Sequence, residues 1–469
     1  MKSVALHNLG CKVNGYEMDV MQQSLQEKGY KIVPFDELAD IYIINTCTVT
    51  NIADRKSRQM LHRAKKKNPK AVVVAVGCYV QTGKEEALLD ESIDLAIGNN
   101  RKKDLIPLLE EFLKKREKHG TEKLATEDKT LAGKAVIDIN HTKEYEDMML
   151  MHTAEHTRAF IKIQDGCNQF CSYCIIPYAR GRVRSRKEEE IIKEVTSLAQ
   201  NGYKEVVLTG IHLSSYGLDF DEIKAIPSGE TFPHRRLLRL IQKIHEIEGI
   251  SRIRLGSLEP RIITEEFAKA LSDLPKFCPH FHLSLQSGCD TVLKRMNRKY
   301  TAGEYYEKVC ILRSCFEHPA ITTDVIVGFP GETEAEFEET KEFLKKVGFY
   351  EMHIFKYSKR QGTVAAAMDN QVPEETKSSR SNQLMELEKK MSTDYRKEHL
   401  RKKTAILFEE EKQMNGESYQ IGHSMEYIKA AVKSKEPLGG KILEGFFLEF
   451  LTPEVLTFAN SIEFCTEIE

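Results

Sequence analysis

The feature that most constrains this chain is a recurring alternation of short apolar runs with longer amphipathic stretches. In the first third, 4–6, 41–44 and 71–76 read as buried strands, with helices at about 17–27 and 53–67 between them. Strand, helix, strand at this spacing builds βαβ units and a parallel sheet, because a parallel partner is reached only through a crossover. From Arg158 the alternation resumes, with strands predicted at 159–164, 205–209, 252–256, 282–285, 322–327 and 351–355. Helical patterns at 187–199, 237–248, 264–271 and 333–346 fall between them, the last opened by Thr333 and Glu336 at capping-box spacing. Six βα units predict an open or partial barrel whose active face lies at the carboxyl ends of its strands.

Two stretches break the pattern. Residues from about 110 to 149 are rich in Lys, Glu, Asp and Thr and read as a solvated helix end and linker. A charged helix at about 374–403 leads into short apolar runs at 405–408 and 445–451, which predict a small β-barrel. The expected fold class is therefore α/β, with a parallel-sheet domain at 1–115, a linker at 116–150, a partial (βα)6 barrel at 151–395 and a small β-barrel at 396–469. A chain of 469 residues exceeds what one core sustains, which agrees with this division.

Composition narrows the function classes. With 41% hydrophobic and 30% charged residues the chain is globular, neither disordered nor membrane-embedded. The amino terminus turns polar before an apolar stretch forms, and the longest apolar runs, such as 71–76, cannot span a bilayer. The expected location is cytoplasmic, with no membrane partner. Eleven cysteines, an odd count without dense regular spacing, favour metal or redox chemistry over a disulfide framework. A formal charge of −2 means that any nucleic acid must be held by local basic patches.

Cys167, Cys171 and Cys174 follow the first strand of the predicted larger barrel, with three and two residues between them. Three thiolates so spaced can wrap one face of a four-iron cubane and leave one iron without a protein ligand. The other reading is structural zinc, which needs a fourth ligand; His152 and His156 are the nearest outsiders, and they precede the strand. On the same rim stand Tyr173, able to stack on or present its backbone to an adenine, then Gly210, Glu259, Gln286 with Ser287, and the turn from Gly328 to Gly331. Each alone is also ordinary turn chemistry. A second trio, Cys11, Cys47 and Cys78, ends three predicted parallel strands and so emerges at one sheet edge, within reach of a common ion or cluster. Singly, each reads equally as an inert core cysteine. Asn8, Asn14, Asn45 and Thr46 flank this trio and could hydrogen-bond its sulfurs, whereas Cys278, Cys289, Cys310, Cys315 and Cys465 read as core or surface residues.

With both trios and the run Gly181-Arg-Val-Arg-Ser-Arg186 in view, the chain resembles the methylthiotransferase family of radical S-adenosylmethionine (SAM) enzymes over essentially its whole length. Segments 9–17 and 163–182 are most similar to the branch acting on threonylcarbamoyladenosine in tRNA. Members acting on isopentenyladenosine usually carry Gln or an equivalent at the position of Lys12, and those modifying a ribosomal-protein aspartate typically have Pro after the first cysteine. His212 stands where many relatives have Asn.

The resemblance implies a methylthiotransferase domain, a radical SAM domain and an RNA-binding TRAM domain. It implies two [4Fe-4S] clusters, one on each trio, with SAM on the open iron of the first and contacts from Tyr173, Gly210, Glu259 and Gln286. The implied activity replaces the adenine C2 hydrogen beside the anticodon by a methylthio group. That C–H bond is too strong and too weakly acidic for a general base, hence a carbon radical made from SAM. Partners would be the tRNA anticodon stem-loop, a small electron-transfer reductant and a sulfur donor. An isopentenyladenosine enzyme and a non-catalytic iron–sulfur or zinc RNA-binding protein are the competing readings.

Two basic runs bear on RNA. Residues 55–70 contain no acid, and 180–187 lie beside the first trio; such runs are also common on solvated helix faces. The region 389–403 could extend the track. A threonylcarbamoyl group carries a carboxylate, so a cation is expected in its pocket, with Arg180, Arg182 or Arg360 as candidates.

Overall fold

The computed structural model describes residues 2–127, 135–151, 157–220 and 234–460. Its first sheet contains β1 (Ser3–Asn8), β2 (Lys31–Val33), β3 (Ile41–Thr46), β4 (Val72–Gly77) and β5 (Leu95–Ile97), all parallel, in the order β2-β1-β3-β4-β5. Every residue of β3 and β4 is buried. Central parallel strands covered on both faces require this, and it explains why these runs are apolar without alternation. The helix α1 (Lys12–Glu27) begins immediately after Cys11, earlier than the apolar periodicity suggested. A second helix, α2 (Asn51–Lys67), is capped by the Thr50 side chain and buries only Ser57, Leu61 and Ala64, one narrow stripe. A short third helix, α3 (Cys78–Thr82), follows β4 directly.

The larger barrel is made of β6 (Arg158–Asp165), β8 (Glu205–Gly210), β9 (Arg252–Leu255), β10 (His280–His282), β11 (Ala320–Val327) and β12 (Glu351–Lys356), with the short β7 (Arg184–Ser185) antiparallel to β6. Backbone bonds from Cys278 N to Ile253 O (2.9 Å) and from Leu258 N to His282 O (2.8 Å) join β9 to β10, so the six parallel strands form one curved wall. The wall stays open: among the described residues β12 does not pair with β6. Strand β10 begins two residues earlier than the predicted 282–285 and stops at His282; beyond it Leu285 N donates to the Thr323 hydroxyl (3.0 Å) instead of to a ladder carbonyl. Ile161, Leu208, Ile253, Leu283 and Val325 face the outer helices in the main core. By the two-residue period, Glu205, Arg254, His280, His282, Asp324 and His353 face the lumen.

The first unit closes the open side. Phe160 of β6 packs on the core of the first sheet beside Met18 and Leu25, placing α1 between that sheet and the barrel wall. Of the predicted linker, 116–127 end the helix Leu105–Glu127, in line with the expected helix end, whereas 135–150 are no solvated tether. Ala135, Val136, Ile139, Met148 and Leu150 are buried, and Met148 O accepts from Tyr16 Oη at 2.6 Å, so the segment is a strap packed across the junction.

Helix Glu374–Lys397 runs along β12 into a closed barrel of β13 (Lys403–Met414), β14 (Glu417–His423), β15 (Lys429–Val432), β16 (Ile442–Thr452) and β17 (Val455–Asn460). This barrel caps the amino-terminal end of the larger one. Arg252 donates to His423 O (2.8 Å) and Ala405 O (2.6 Å), and Tyr427 stacks on His280 with centroids 5.0 Å apart. A cleft of about 1040 Å³ between the two barrels opens to solvent and has His353, Arg396, Glu410 and Lys429 on its walls. No helix among the described residues is long and apolar enough to cross a membrane. His152, His156 and Cys465 lie outside the described residues.

Candidate active site

The first trio is positioned by the turn that ends β6. Gly166 adopts φ +72°, and a Cβ there would lie 1.8 Å from Arg182 O, so only glycine lets the loop return against 181–182. Cys167 N donates to Gly181 O (3.0 Å), and the loop is pinned from beneath by Ser172 N to Met296 O (3.0 Å) and Asn297 Nδ2 to Phe170 O (2.9 Å). The three thiols lie within electrostatic reach of one another. Burial, with a smaller push from neighbouring sulfurs, raises Cys167 to about 11 and Cys174 to about 12. They are thus thiols at neutral pH until a bound metal displaces their protons. Arg298, which the sequence did not single out, donates to Cys171 Sγ (3.3 Å) and Ser284 O (3.1 Å). It sets a fixed positive charge beside the sulfurs, where an anionic cluster would gain from it.

The rim residues follow the strands as expected. Gly210 ends β8 over Gln164, and Glu259, largely buried, follows β9 with its N–H on Ser214 Oγ (2.8 Å). Gln286 follows β10 in the left-handed region at φ +77°, clamped by bonds to Asp324 O and from Ile326 N (both 2.9 Å). Tyr173 is packed edge-on against Phe329, centroids 6.4 Å apart. His212 donates its backbone N–H to Gln164 Oε1 (2.7 Å) and bonds Ser215 Oγ through Nδ1 (2.6 Å), leaving Nε2 buried without a partner. Burial, helped by Arg298 and Arg261, lowers its pKa to about 4, so the ring is neutral.

The second trio emerges from the neighbouring strands β1, β3 and β4. Cys11 is the residue before α1, Cys47 follows β3, and Cys78 opens α3 after Gly77, whose φ of +98° turns the chain. The thiols again lie in each other's field, and burial raises Cys11 and takes Cys47 to about 11. Asn99, also not anticipated, donates through Nδ2 to both Cys78 Sγ (3.5 Å) and Ala179 O (2.7 Å). Ala179 belongs to helix Ile176–Arg180, which starts two residues after Cys174 and packs on α3, so the two trios are linked through one short helix. Among the described residues neither trio brings its three sulfurs within 4.8 Å of one another. One zinc ion would draw them to about 3.8 Å, from Zn–S bonds near 2.3 Å. The wider separation and the three-sulfur donor sets fit multi-iron clusters better than a closed zinc site.

Charge locks this junction. Arg180, fully buried, donates to Glu17 Oε1 (2.7 Å) and Oε2 (3.0 Å) and to Asn14, and pairs with Asp165 (3.3 Å). Lys162 and Lys102 pair with the same Glu17. Burial alone would raise the Glu17 carboxyl, but Arg180, Lys102 and Lys162 outweigh it and hold it well below its usual range. Arg360 is engaged by Asp54, Asn51 and Thr48 at the start of α2. Arg180 and Arg360 are therefore not cations free for RNA, because both are committed to the interface between the first unit and the barrel. Arg182 is exposed, its guanidinium 4.4 Å from the Phe170 ring centroid.

An open parallel barrel with a three-cysteine loop at the end of its first strand defines the radical SAM class. Residues 161–344 match the radical SAM superfamily model, and residues 3–98 match uncharacterized protein family UPF0004. The chain is 39% identical to threonylcarbamoyladenosine tRNA methylthiotransferase MtaB of Bacillus subtilis, covering 95% of this chain and 93% of that protein. It is 41% identical to the protein of that name from Aquifex aeolicus, over 89% and 95% of the two chains. With tRNA-2-methylthio-N(6)-dimethylallyladenosine synthase of Thermoanaerobacter sp. it shares 37% identity over 86% and 81%. Among solved structures, the radical SAM methyltransferase TsrM of Kitasatospora setae shares the fold, with TM-score 0.51 and 17% identity over 76% of this chain and 73% of that one. The protein belongs to the radical SAM tRNA methylthiotransferase family.

Proposed function

We propose that this protein converts N6-threonylcarbamoyladenosine at position 37 of tRNA, beside the anticodon, into its 2-methylthio derivative. The observation that carries the reading is the linkage of two three-cysteine sites through Asn99 and helix Ile176–Arg180, one on the barrel rim and one on the adjoining sheet edge. A [4Fe-4S] cluster on Cys167, Cys171 and Cys174 would supply one-electron reductive cleavage of SAM, and one on Cys11, Cys47 and Cys78 a site for sulfur delivery. The protein's own part is to hold, orient and exclude water. Tyr173, Gly210, Glu259 and Gln286 would hold SAM along the rim, Arg298 keeps positive charge at Cys171, and the first unit shuts the barrel's open side. The choice of nucleoside follows the first-motif sequence around Cys11 and the relatives of that name.

The division into 1–115, 116–150, 151–395 and 396–469 assigns sulfur insertion to the first domain, SAM chemistry to the barrel and RNA holding to the TRAM-like last domain. Arg182 and the exposed face of α2 would contact phosphates. A small electron-transfer reductant and a sulfur donor complete the cycle in the cytoplasm.

The test is anaerobic turnover of reconstituted protein on anticodon stem-loops bearing either threonylcarbamoyladenosine or isopentenyladenosine. Methylthio product is expected on the first only. Cys78→Ala is expected to lower iron from about eight to about four per chain and to abolish methylthio transfer while 5′-deoxyadenosine is still formed. Preference for the isopentenyl RNA would overturn the substrate, and full transfer by Cys78→Ala would overturn the second site.

A further inference from the structure

If the substrate carries a carboxylate on its N6 substituent, a cation must meet it inside the barrel, and Arg180 and Arg360 are both occupied elsewhere. Among the described residues the lumen contains a cation of a different kind. Lys12, the first residue of α1 and the neighbour of Cys11, is acted on by Arg254, Arg158, Glu205 and Asp324, and itself acts on His280. Helix α1 packs against β6 and β8, and those residues sit on β9, β6, β8, β11 and β10, so its ammonium faces the inside of the larger barrel. It is solvent-accessible there and has no hydrogen-bond or ion-pair partner among the described residues.

The other lumen cations are committed. Arg158 pairs with Glu409 (3.1 Å) and lies over the Tyr427 ring, and Arg254 holds Glu205 (2.9 Å) and Met425 O (2.9 Å). In the same lumen, His282, Asp324 and His353 stand on three adjacent strands with their polar atoms within 4.8 Å of one another. Bonding to Thr322 Oγ1 (3.0 Å) and Asp324 Oδ2 (3.2 Å) fixes the His282 ring. The exposed His353 opens onto the cleft between the barrels.

We propose that Lys12 is the specificity-determining residue of this site, binding the carboxylate of an amino-acid-bearing N6 substituent, with His353 hydrogen-bonding that substituent's hydroxyl or carbonyl group. The inference rests on the function proposed above and deepens it. The arrangement follows from the adenine ring. C2 and N6 lie on opposite sides of N1, so an adenine that turns C2 toward the cysteine sites sends its N6 substituent away from them into the lumen. A lysine's four-carbon stem leaving the residue after Cys11 can reach that substituent without disturbing the thiol. A neutral isopentenyl group would cover the ammonium without pairing it, which disfavours it, whereas a carboxylate satisfies it.

The test is a two-by-two comparison on reconstituted full-length protein, wild type and Lys12→Gln. The stem-loops carry either threonylcarbamoyladenosine or its carboxylate methyl ester, and kcat/KM and equilibrium affinity are read together, with iron measured on each protein so that rates are per loaded enzyme. In wild type the ester is expected to lower kcat/KM about 10- to 100-fold, and Lys12→Gln to lower it about as much on the acid while adding little on the ester. Lys12→Arg should restore part of the preference for the acid. Equal losses on acid and ester would overturn the assignment, since a lysine acting only through Cys11 or through folding cannot distinguish them. Indifference of wild type to the ester would overturn it too. If wild type turns over only isopentenyl RNA, the function proposed above fails and this inference with it; turnover of the acid with equal losses removes Lys12 alone.

Discussion

Arg180 has no exposed atom, so its charge persists only through its partners Glu17, Asp165 and Asn14. Removing it leaves two carboxylates facing Lys162 and Lys102 in a dry site, and a broken buried pair typically costs about 3–5 kcal/mol. Arg180→Ala should lower urea-unfolding stability by that order, while Arg182→Ala, at an exposed position, should change it by less than about 0.5 kcal/mol. His212 offers a second test. Its folded pKa of about 4 lies below the unfolded value of 6.5, so between those limits the unfolded chain binds the extra proton. Stability from this residue is complete above pH 6.5 and falls by at most about 1.4 kcal/mol per unit as pH drops toward 4. His212→Asn, unable to protonate, should flatten the wild-type difference in unfolding midpoint between pH 7 and pH 5. At this scale the positions of the six cysteines are legible from local patterns: Cys11, Cys47 and Cys78 each come shortly after a predicted strand, and Cys167, Cys171 and Cys174 share one short loop. Arg180 reads wrongly as an RNA contact because a sequence displays charge but not burial, and Asn99 and Arg298 escape because they meet their sulfurs only through distant parts of the chain.

Among the elements, α2 joins the two kinds of information. Its buried stripe of Ser57, Leu61 and Ala64 leaves Arg55, Lys56 and Lys66 outward, without ion-pair partners among the described residues, while Arg63 and Lys65 pair with Asp36 and Asp94. Reversing Lys56 and Lys66 to Glu should weaken tRNA binding and reduce the slope of log affinity against log salt by about 0.9 for each phosphate no longer neutralised, with unfolding stability little changed. Titration of labelled tRNA at two or more salt concentrations reads both effects; an unchanged slope would assign the stripe to solvent. Capping boxes are readable where the pattern is local, as at Thr333 and Glu336, and a second at Thr301 and Glu304 opens helix Ala302–Cys315. Strands β2 and β5 are not readable: three residues paired along one sheet carry no periodicity, and tertiary pairing alone makes them strands.

For the whole molecule, the order of parallel sheet, open barrel and small closed barrel is present in the alternation of apolar runs. Their mutual placement is not. That α1 serves as a wall for two units, that 135–151 forms a packed strap, and that the last barrel seats on Arg252 and Arg254 all depend on pairings between residues far apart in the chain. This placement brings the two cysteine sites to either side of one short helix and turns Lys12 into the barrel, so the chemistry belongs to the assembled chain and not to one domain. The most direct test of that account is mass spectrometry of tRNA nucleosides from cells lacking this protein, compared with the same cells carrying it. The expected result is loss of the 2-methylthio form of threonylcarbamoyladenosine with accumulation of the unmodified nucleoside. Loss of methylthio-isopentenyladenosine, with the threonylcarbamoyl form intact, would contradict it.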